Sequence, residues 1–192
     1  MRIHFILFTL LLILSSTSFA VDFQAGASLN NIASSNNETD GDGYLFLFGG
    51  LIFESDSSKK LLEIGDIEYE TKIPNGRTLD EGNLKVKGTS FALILIPKTG
   101  SILGDADIQI GFGFVDLNYN HSSSRQKIDR TLGTQFILNW NFPSFGTSGS
   151  DKLFFGPTIR YFYVKPTLTT NGSKEEINFS ETHLGLRAAF NF

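Results

Sequence analysis

Two short stretches carry residue types at spacings that suit chemistry. The first is Asn120-His121-Ser122-Ser123-Ser124. A histidine two residues from a serine is a minimal base–nucleophile pair for acyl hydrolysis. Such a pair also needs a carboxylate to orient the imidazole, and Asp129 is the nearby candidate. Among serines, His121 reads first as a polar loop residue. The second stretch is Glu38-Thr39-Asp40-Gly41-Asp42-Gly43. Alternate acids followed by glycine open like a calcium loop, but Gly49 stands where the bidentate glutamate belongs. The stretch therefore reads as a solvated acidic loop. Nothing in the chain calls for a metal or a cofactor.

A third group forms only once the chain is folded. The last strand shows why. Leu184, Leu186, Ala188, Phe190 and Phe192 share one face of an extended strand, and His183, Gly185, Arg187 and Asn191 share the other. Chain ends usually fray into water. A barrel's last strand must instead pair with its first, so that no edge is left open in lipid. This terminus resembles the C-terminal strand of bacterial outer-membrane β-barrels. The resemblance implies that the barrel-assembly machinery reads the alternation and the aromatic ending, Phe190 and Phe192. Many such strands carry glycine five positions before the end, where this chain has Arg187.

The other end fits the same destination. Met1-Arg2 precedes a short apolar run to Leu14, and Ser18-Phe19-Ala20 places small residues at the two positions a signal peptidase reads. The run is shorter than the roughly 20 residues that span a bilayer as a helix. Residues 1–20 are thus expected to be a signal peptide and 21–192 a single domain. The chain has 19 Gly, 19 Phe, 5 Pro and no Cys, so stability comes from a source other than disulfides. A net charge of −4 argues against a nucleic-acid partner.

Eight strand-like runs divide the rest: 21–32, 44–53, 61–71, 84–96, 108–119, 128–142, 153–163, and a last run to the terminus after a loop at 167–174. The pattern predicts an all-β fold, an eight-stranded antiparallel up-and-down transmembrane β-barrel. An even strand count puts both termini on the periplasmic side, with the loops near 34–43, 72–83, 120–127 and 166–175 facing outward. Apolar alternation shifts phase at Phe114-Val115, as a β-bulge or an ordinary irregularity of the pattern would produce. Tyr44, Tyr69, Tyr119, Tyr161 and Tyr163 are expected to ring the outer interface, and Trp140, Phe142, Phe190 and Phe192 the inner one.

Eight strands leave an interior barely wide enough for side chains. The polar group predicted inside is Asp105, Asp107, Arg160, His183 and Arg187. Buried guanidiniums need carboxylates. Asp105 and Asp107 are the first choice for Arg187, and Glu63, Asp66 and Glu68 are further candidates. Leu45, Leu47, Phe91 and Leu93 belong to runs that are apolar on both faces, which predicts a packed layer ahead of an apolar path. Arg130 and Lys165 fall on the lipid side near the outer rim, where lipopolysaccharide phosphates would meet them.

Across the mature chain the pattern resembles the small OmpX, OmpW and opacity-type barrels. That resemblance implies a non-enzymatic structural or surface role, with adhesion to a host surface as one use. OmpW-like barrels imply the alternative of a narrow channel for small hydrophobic molecules. Lipid A deacylases of the PagL type pair a His-x-Ser on an eight-stranded barrel, which His121 and Ser123 match. That family's asparagine after the serine is Ser124 here, and no glutamate follows at a matching distance. Deleting Phe192 should slow folding catalysed by the assembly machinery, and an unchanged rate in reconstituted vesicles would remove the assembly reading.

Overall fold

A computed structural model describes residues 20–35, 40–41, 43–55, 58–73, 78–97, 107–143 and 152–192. The expected signal segment before Ala20, most of the acidic first loop, and Asp105 lie outside the described residues. The strands are β1 (Ala20–Ser35), β2 (Asp40–Gly41), β3 (Tyr44–Glu54), β4 (Ser58–Ile73), β5 (Gly82–Pro97) and β6 (Asp107–His121). They continue with β7 (Gln126–Ile128), β8 (Thr131–Pro143), β9 (Lys152–Tyr163), β10 (Thr167–Thr170), β11 (Ser173–Glu176) and β12 (Glu181–Asn191).

Eight of these close a ring in the order β4-β3-β1-β12-β9-β8-β6-β5, and β5 returns to β4. Every pairing is antiparallel. The seam joins the ends of the chain: Ala25 faces Phe190, and the Phe192 amide donates to the Phe23 carbonyl at 2.9 Å. The terminal aromatic residue is therefore held in the ladder that closes the barrel. Among the described residues no helix is long and apolar enough to cross a membrane.

Outside the ring, large apolar side chains stand exposed on every wall. Leu29, Leu47, Ile64, Phe91, Phe112, Leu132, Phe155, Leu184 and Leu186 are all between 48% and 70% exposed except Leu184, at 45%. A continuous apolar belt of this extent has no stable contact with water and fits a hydrocarbon layer. Farther from the termini the polarity inverts. On β4, Glu68, Glu70 and Lys72 point out while Ile67, Tyr69 and Ile73 are buried inside. On β5, Lys85 and Lys87 point out while Leu84 and Val86 are inside. Lys85 lies 3.0 Å from both Glu68 and Glu70, and Lys87 lies 2.9 Å from Glu68. The barrel thus has two storeys. The lower is apolar outside, and the upper is built like a water-soluble β-barrel.

The inversion explains the phase shift at Phe114-Val115. Of the two readings the bulge is excluded, because β6 keeps continuous register through Phe114–Phe91, Val115–Ser90 and Val115–Gly133. The backbone does not slip. Phe114 is the last apolar side chain facing out, and Val115 and Leu117 are apolar because the upper interior is apolar. The register shift in the seam falls elsewhere, between Ile32 and Ser34 of β1.

The inversion also corrects the tyrosine ring. Tyr161 and Tyr163 face outward, but Tyr44 and Tyr69 are buried in the upper interior, and Tyr119 packs against it from a half-buried position. The expected sixth run is split into β7 and β8. The expected loop at 167–174 is a hairpin, β10–β11, which joins β7 in a separate three-stranded sheet. Its turn is Asn171-Gly172, with φ of 51° and 86°. Two successive positive φ values define the type I′ turn that Asn-Gly favours. Gly172→Val should destabilise that hairpin by about 1–2 kcal/mol. Limited proteolysis should then cut near 172 while the barrel keeps its heat-modifiable migration in gels.

Candidate functional site

The interior of the lower storey is organised around Glu63 of β4. It accepts from Arg160 Nη2 at 2.5 Å and from Arg187 Nη1 at 2.7 Å, one guanidinium on each carboxylate oxygen. All three side chains are fully buried. Alternation on β9 and β12 aims both arginines inward, and the two strands are neighbours in the ring. Arg187 Nη2 also donates to Gln24 Oε1 at 2.5 Å, and Gln24 Nε2 donates to Asn191 Oδ1 at 2.7 Å. Aromatic faces take up the remaining surface of the cations. Arg160 lies 4.1 Å over the Phe46 ring and Arg187 3.8 Å over Phe48, a favourable arrangement for a desolvated guanidinium.

This triad carries one excess positive charge. A second carboxylate, Glu181, balances it one level farther from the termini. Tyr69 donates its hydroxyl to Glu181 Oε2, and His183 Nε2 lies 3.3 Å from the same oxygen. His183 stands directly opposite Arg160 in the β12–β9 register. Its ring packs against Phe162 at 4.5 Å, Tyr44 at 5.4 Å and Tyr69 at 5.8 Å. A second polar branch runs along β6, β8 and β9. Asn139 Nδ2 donates to Gln109 at 3.1 Å, and Thr158 donates to Asn139 Oδ1 at 2.7 Å. Among the described residues, several buried polar atoms have no hydrogen-bonding partner, including Arg160 Nε and Nη1, Arg187 Nε, both ring nitrogens of His183 and both amide atoms of Asn141. Each such atom costs about 1–3 kcal/mol when nothing satisfies it.

The structure places Arg160, His183 and Arg187 inside the barrel, beside Glu63 and Glu181. Asp107 is exposed at the start of β6, at the mouth nearest the termini, and does not reach Arg187. Asp66 and Glu68 face outward on β4. Glu63 is the partner because it shares β4 with those acids but has the opposite parity, at mid-barrel height. Phe190 is half-buried and Phe192 exposed on the outer face, their rings edge to face at 4.8 Å.

A closed eight-stranded ring, an apolar outer belt and a filled polar interior are now in place. No protein-family model and no curated protein matches the chain. Solved structures do. The outer membrane protein AlkL, determined in lipid bilayers, superposes with a TM-score of 0.58 at 12% identity, covering 93% of each chain. Neisserial surface protein A superposes at 0.53 and 8% identity, covering 91% of this chain and 98% of that one. The fold is that of a small eight-stranded outer-membrane β-barrel.

At the rim of this outer-membrane barrel, the two cations expected to meet lipid phosphates have protein partners. Arg130 forks onto Asp116, with Nε 2.8 Å from Oδ1 and Nη2 on Oδ2. That bond to Asp116 raises the Arg130 pKa above its usual value. Lys165 lies 3.3 Å from Glu176 and 5.7 Å over the Tyr163 ring. The Tyr163 hydroxyl and the Glu176 carboxylate together hold its ammonium pKa above the usual lysine value. Both cations remain outward-facing and partly exposed.

The His121–Ser123 pair meets a different carboxylate from the one expected. Ser123 donates its hydroxyl to Asp80 Oδ2 at 2.7 Å, not to His121. His121 Nδ1 accepts the Ser123 amide at 3.3 Å, and its Nε2 lies 3.1 Å from the Asp80 carbonyl. Both ring nitrogens are therefore engaged away from the Ser123 hydroxyl. The group ties the loop after β4 to the loop after β6, and its geometry is not that of a base poised on a nucleophile.

The Glu63 triad should dominate the stability of the lower storey. Glu63→Ala leaves two buried guanidiniums without a carboxylate and should cost about 3–5 kcal/mol. Urea unfolding in lipid vesicles, followed by tryptophan fluorescence, measures this. A shift below about 1 kcal/mol would mean the arginines find other partners.

Proposed function

We propose that this chain is a non-enzymatic integral protein of the bacterial outer membrane, with a closed lumen and a structural or surface-interaction role. In this reading residues 1–20 are removed as a signal peptide, and the termini face the periplasm. The upper storey then stands beyond the outer leaflet. The lumen carries the proposal. Glu63, Arg160 and Arg187 cross its middle, and the apolar upper interior lies above them. A barrel filled in this way anchors and presents its outer end and does not pass solutes.

The presented surface is hydrogen-bonded β-structure. The β7–β10–β11 sheet is tied down by Asp129 N to Thr167 O at 2.9 Å and Phe179 N to Val164 O at 2.8 Å. Its partners in this reading are lipopolysaccharide around the rim, through Arg130 and Lys165, and a host surface at the outer end. Assembly uses the β-barrel insertion machinery, through Phe190 and Phe192.

A second reading, a narrow route for small hydrophobic molecules, draws on one feature. A cleft of about 240 Å³ opens at the outer end between Thr78, Leu79 and 175–179, and Leu79 and Phe179 form part of the apolar upper core. Planar-bilayer recording and vesicle uptake of a small hydrophobic fluorophore separate the two. The closed barrel gives no conductance steps and uptake equal to empty vesicles. Steps, or uptake that saturates with fluorophore concentration, would replace it with the channel reading.

A further inference from the structure

Four charges on the outer wall of the upper storey form an open chain. Glu70 lies 3.0 Å from Lys85, Lys85 lies 3.0 Å from Glu68, and Glu68 lies 2.9 Å from Lys87. The two inner members each have two partners. The two ends, Glu70 and Lys87, each have one among the described residues. They are also the most exposed of the four, at 62% and 55%. The ends carry opposite charges.

The ends stand level on the wall. A path of paired residues that leaves β8 at Leu132 and passes Asp116, Thr89 and Asp66 returns to β8 at Phe142, nearer the termini. Each rung therefore descends toward the termini from β5 to β4. Glu68 shares a rung with Lys87, and Glu70 is two residues above Glu68. The step up offsets the descent, so Glu70 and Lys87 are side by side at nearly one height.

A second copy in the same membrane has the same orientation, so a two-fold axis relating the pair runs along the membrane normal. Turned about an axis between Glu70 and Lys87, the second copy brings its own Lys87 to Glu70 and its own Glu70 to Lys87. Two open chains then close into one ring of alternating charges. Lipid does not offer this match. Asp66, Glu68 and Glu70 are successive outward positions on β4, and lipid phosphates carry the same sign. Across the ring, β9 ends its apolar face in outward Tyr161 and Tyr163, with Lys165 over the Tyr163 ring. Those groups suit a headgroup layer.

We infer that two copies of this barrel associate side by side through the β4–β5 wall, about a two-fold axis along the membrane normal, with Glu70 of each copy on Lys87 of the other. The inference goes beyond the proposed role and rests on the chain being an integral membrane barrel, which fixes the shared orientation. Because the strands tilt, exposed Leu45 and Leu47 of β3 lie below the charges. Contact between copies there adds little over contact with lipid. The charge ring decides the pairing, and a network of this kind holds where an isolated exposed pair does not.

Energy transfer in lipid vesicles tests this on the full barrel. The chain has no Cys, so Ser173→Cys on exposed β11 takes a donor in one population and an acceptor in another. Wild-type charges should give transfer above the level set by random packing at the same protein-to-lipid ratio. Salt at about 1 M, which screens exposed charges beyond about 3 Å, should return it to that level. Glu70→Lys alone and Lys87→Glu alone each set like charges against each other and should also fall to the random level. Donor-labelled Glu70→Lys mixed with acceptor-labelled Lys87→Glu should restore the transfer, because each charge again meets its opposite. The inference is overturned by wild type at the random level, by either variant keeping wild-type transfer, or by a mixture that stays random. Loss of wild-type transfer when lipopolysaccharide is added would assign the wall to lipid instead. Should a variant lack the folded, heat-modifiable form, the wild-type transfer and its loss in salt decide alone. A barrel that does not float with the vesicles is a separate outcome, since it removes the membrane reading itself.

Discussion

Hydrocarbon supplies no hydrogen-bonding partner, and most of this architecture follows from that one constraint. Every strand in the lower storey must find its amides and carbonyls a partner on both sides. The chain solves this by pairing β5 with β4 and β12 with β1, so that the ring has no free edge. The seam is strong where it must be, since the amide of the last residue is bonded to Phe23. One wall carries a local exception. Between Asn139–Thr158 and Phe142–Phe155, the β8–β9 ladder has no pairing at Pro157, which has no N–H to donate. Gly156 allows the close approach there: a side chain at that position would meet the Trp140 carbonyl oxygen at 1.4 Å.

Closure with only eight strands makes the interior narrow, and a narrow interior must be filled. The two storeys are filled differently because their outsides differ. Where the outside is lipid, the inside carries the charged network beside a small apolar cluster of Ile52, Leu61, Ala92, Ile94, Ile96 and Ile137, and the charges must satisfy one another. Where the outside is water, the inside is free to be an ordinary apolar core. The transition falls near Phe114 and Val115, and the same strand serves both storeys without a bulge. This arrangement places the charged network in the part of the molecule that lipid surrounds.

Within that network, charge balance spans large distances in sequence. Glu63 is 97 residues from Arg160 and 124 from Arg187. Glu181 supplies the second negative charge from the strand that also carries His183 and Arg187. Neither carboxylate stabilises by Coulomb attraction alone, because burying ions is costly. Glu63 gains from a hydrogen bond on each oxygen and Glu181 from the Tyr69 hydroxyl, and the arginines gain from the Phe46 and Phe48 rings.

The sequence by itself determined the barrel. Alternation has a period of two, and each run long enough to cross the bilayer announced which residues shared a face. That was enough for the strand count and the closure of the last strand on the first. The Asn-Gly at 171–172 was also a legible hairpin signal, hidden only because its stretch read as a loop. Parity along one strand does not report height, nor which of several acids stands across the lumen. Asp107 has the right parity but sits at the mouth, and Asp66 and Glu68 have the wrong one. Tertiary structure chose Glu63 because tilt and register bring β4 opposite β9 and β12 at mid-barrel. It also decided that Tyr44 and Tyr69 belong to the core, because the apolar face of a strand changes sides where its surroundings change from lipid to water.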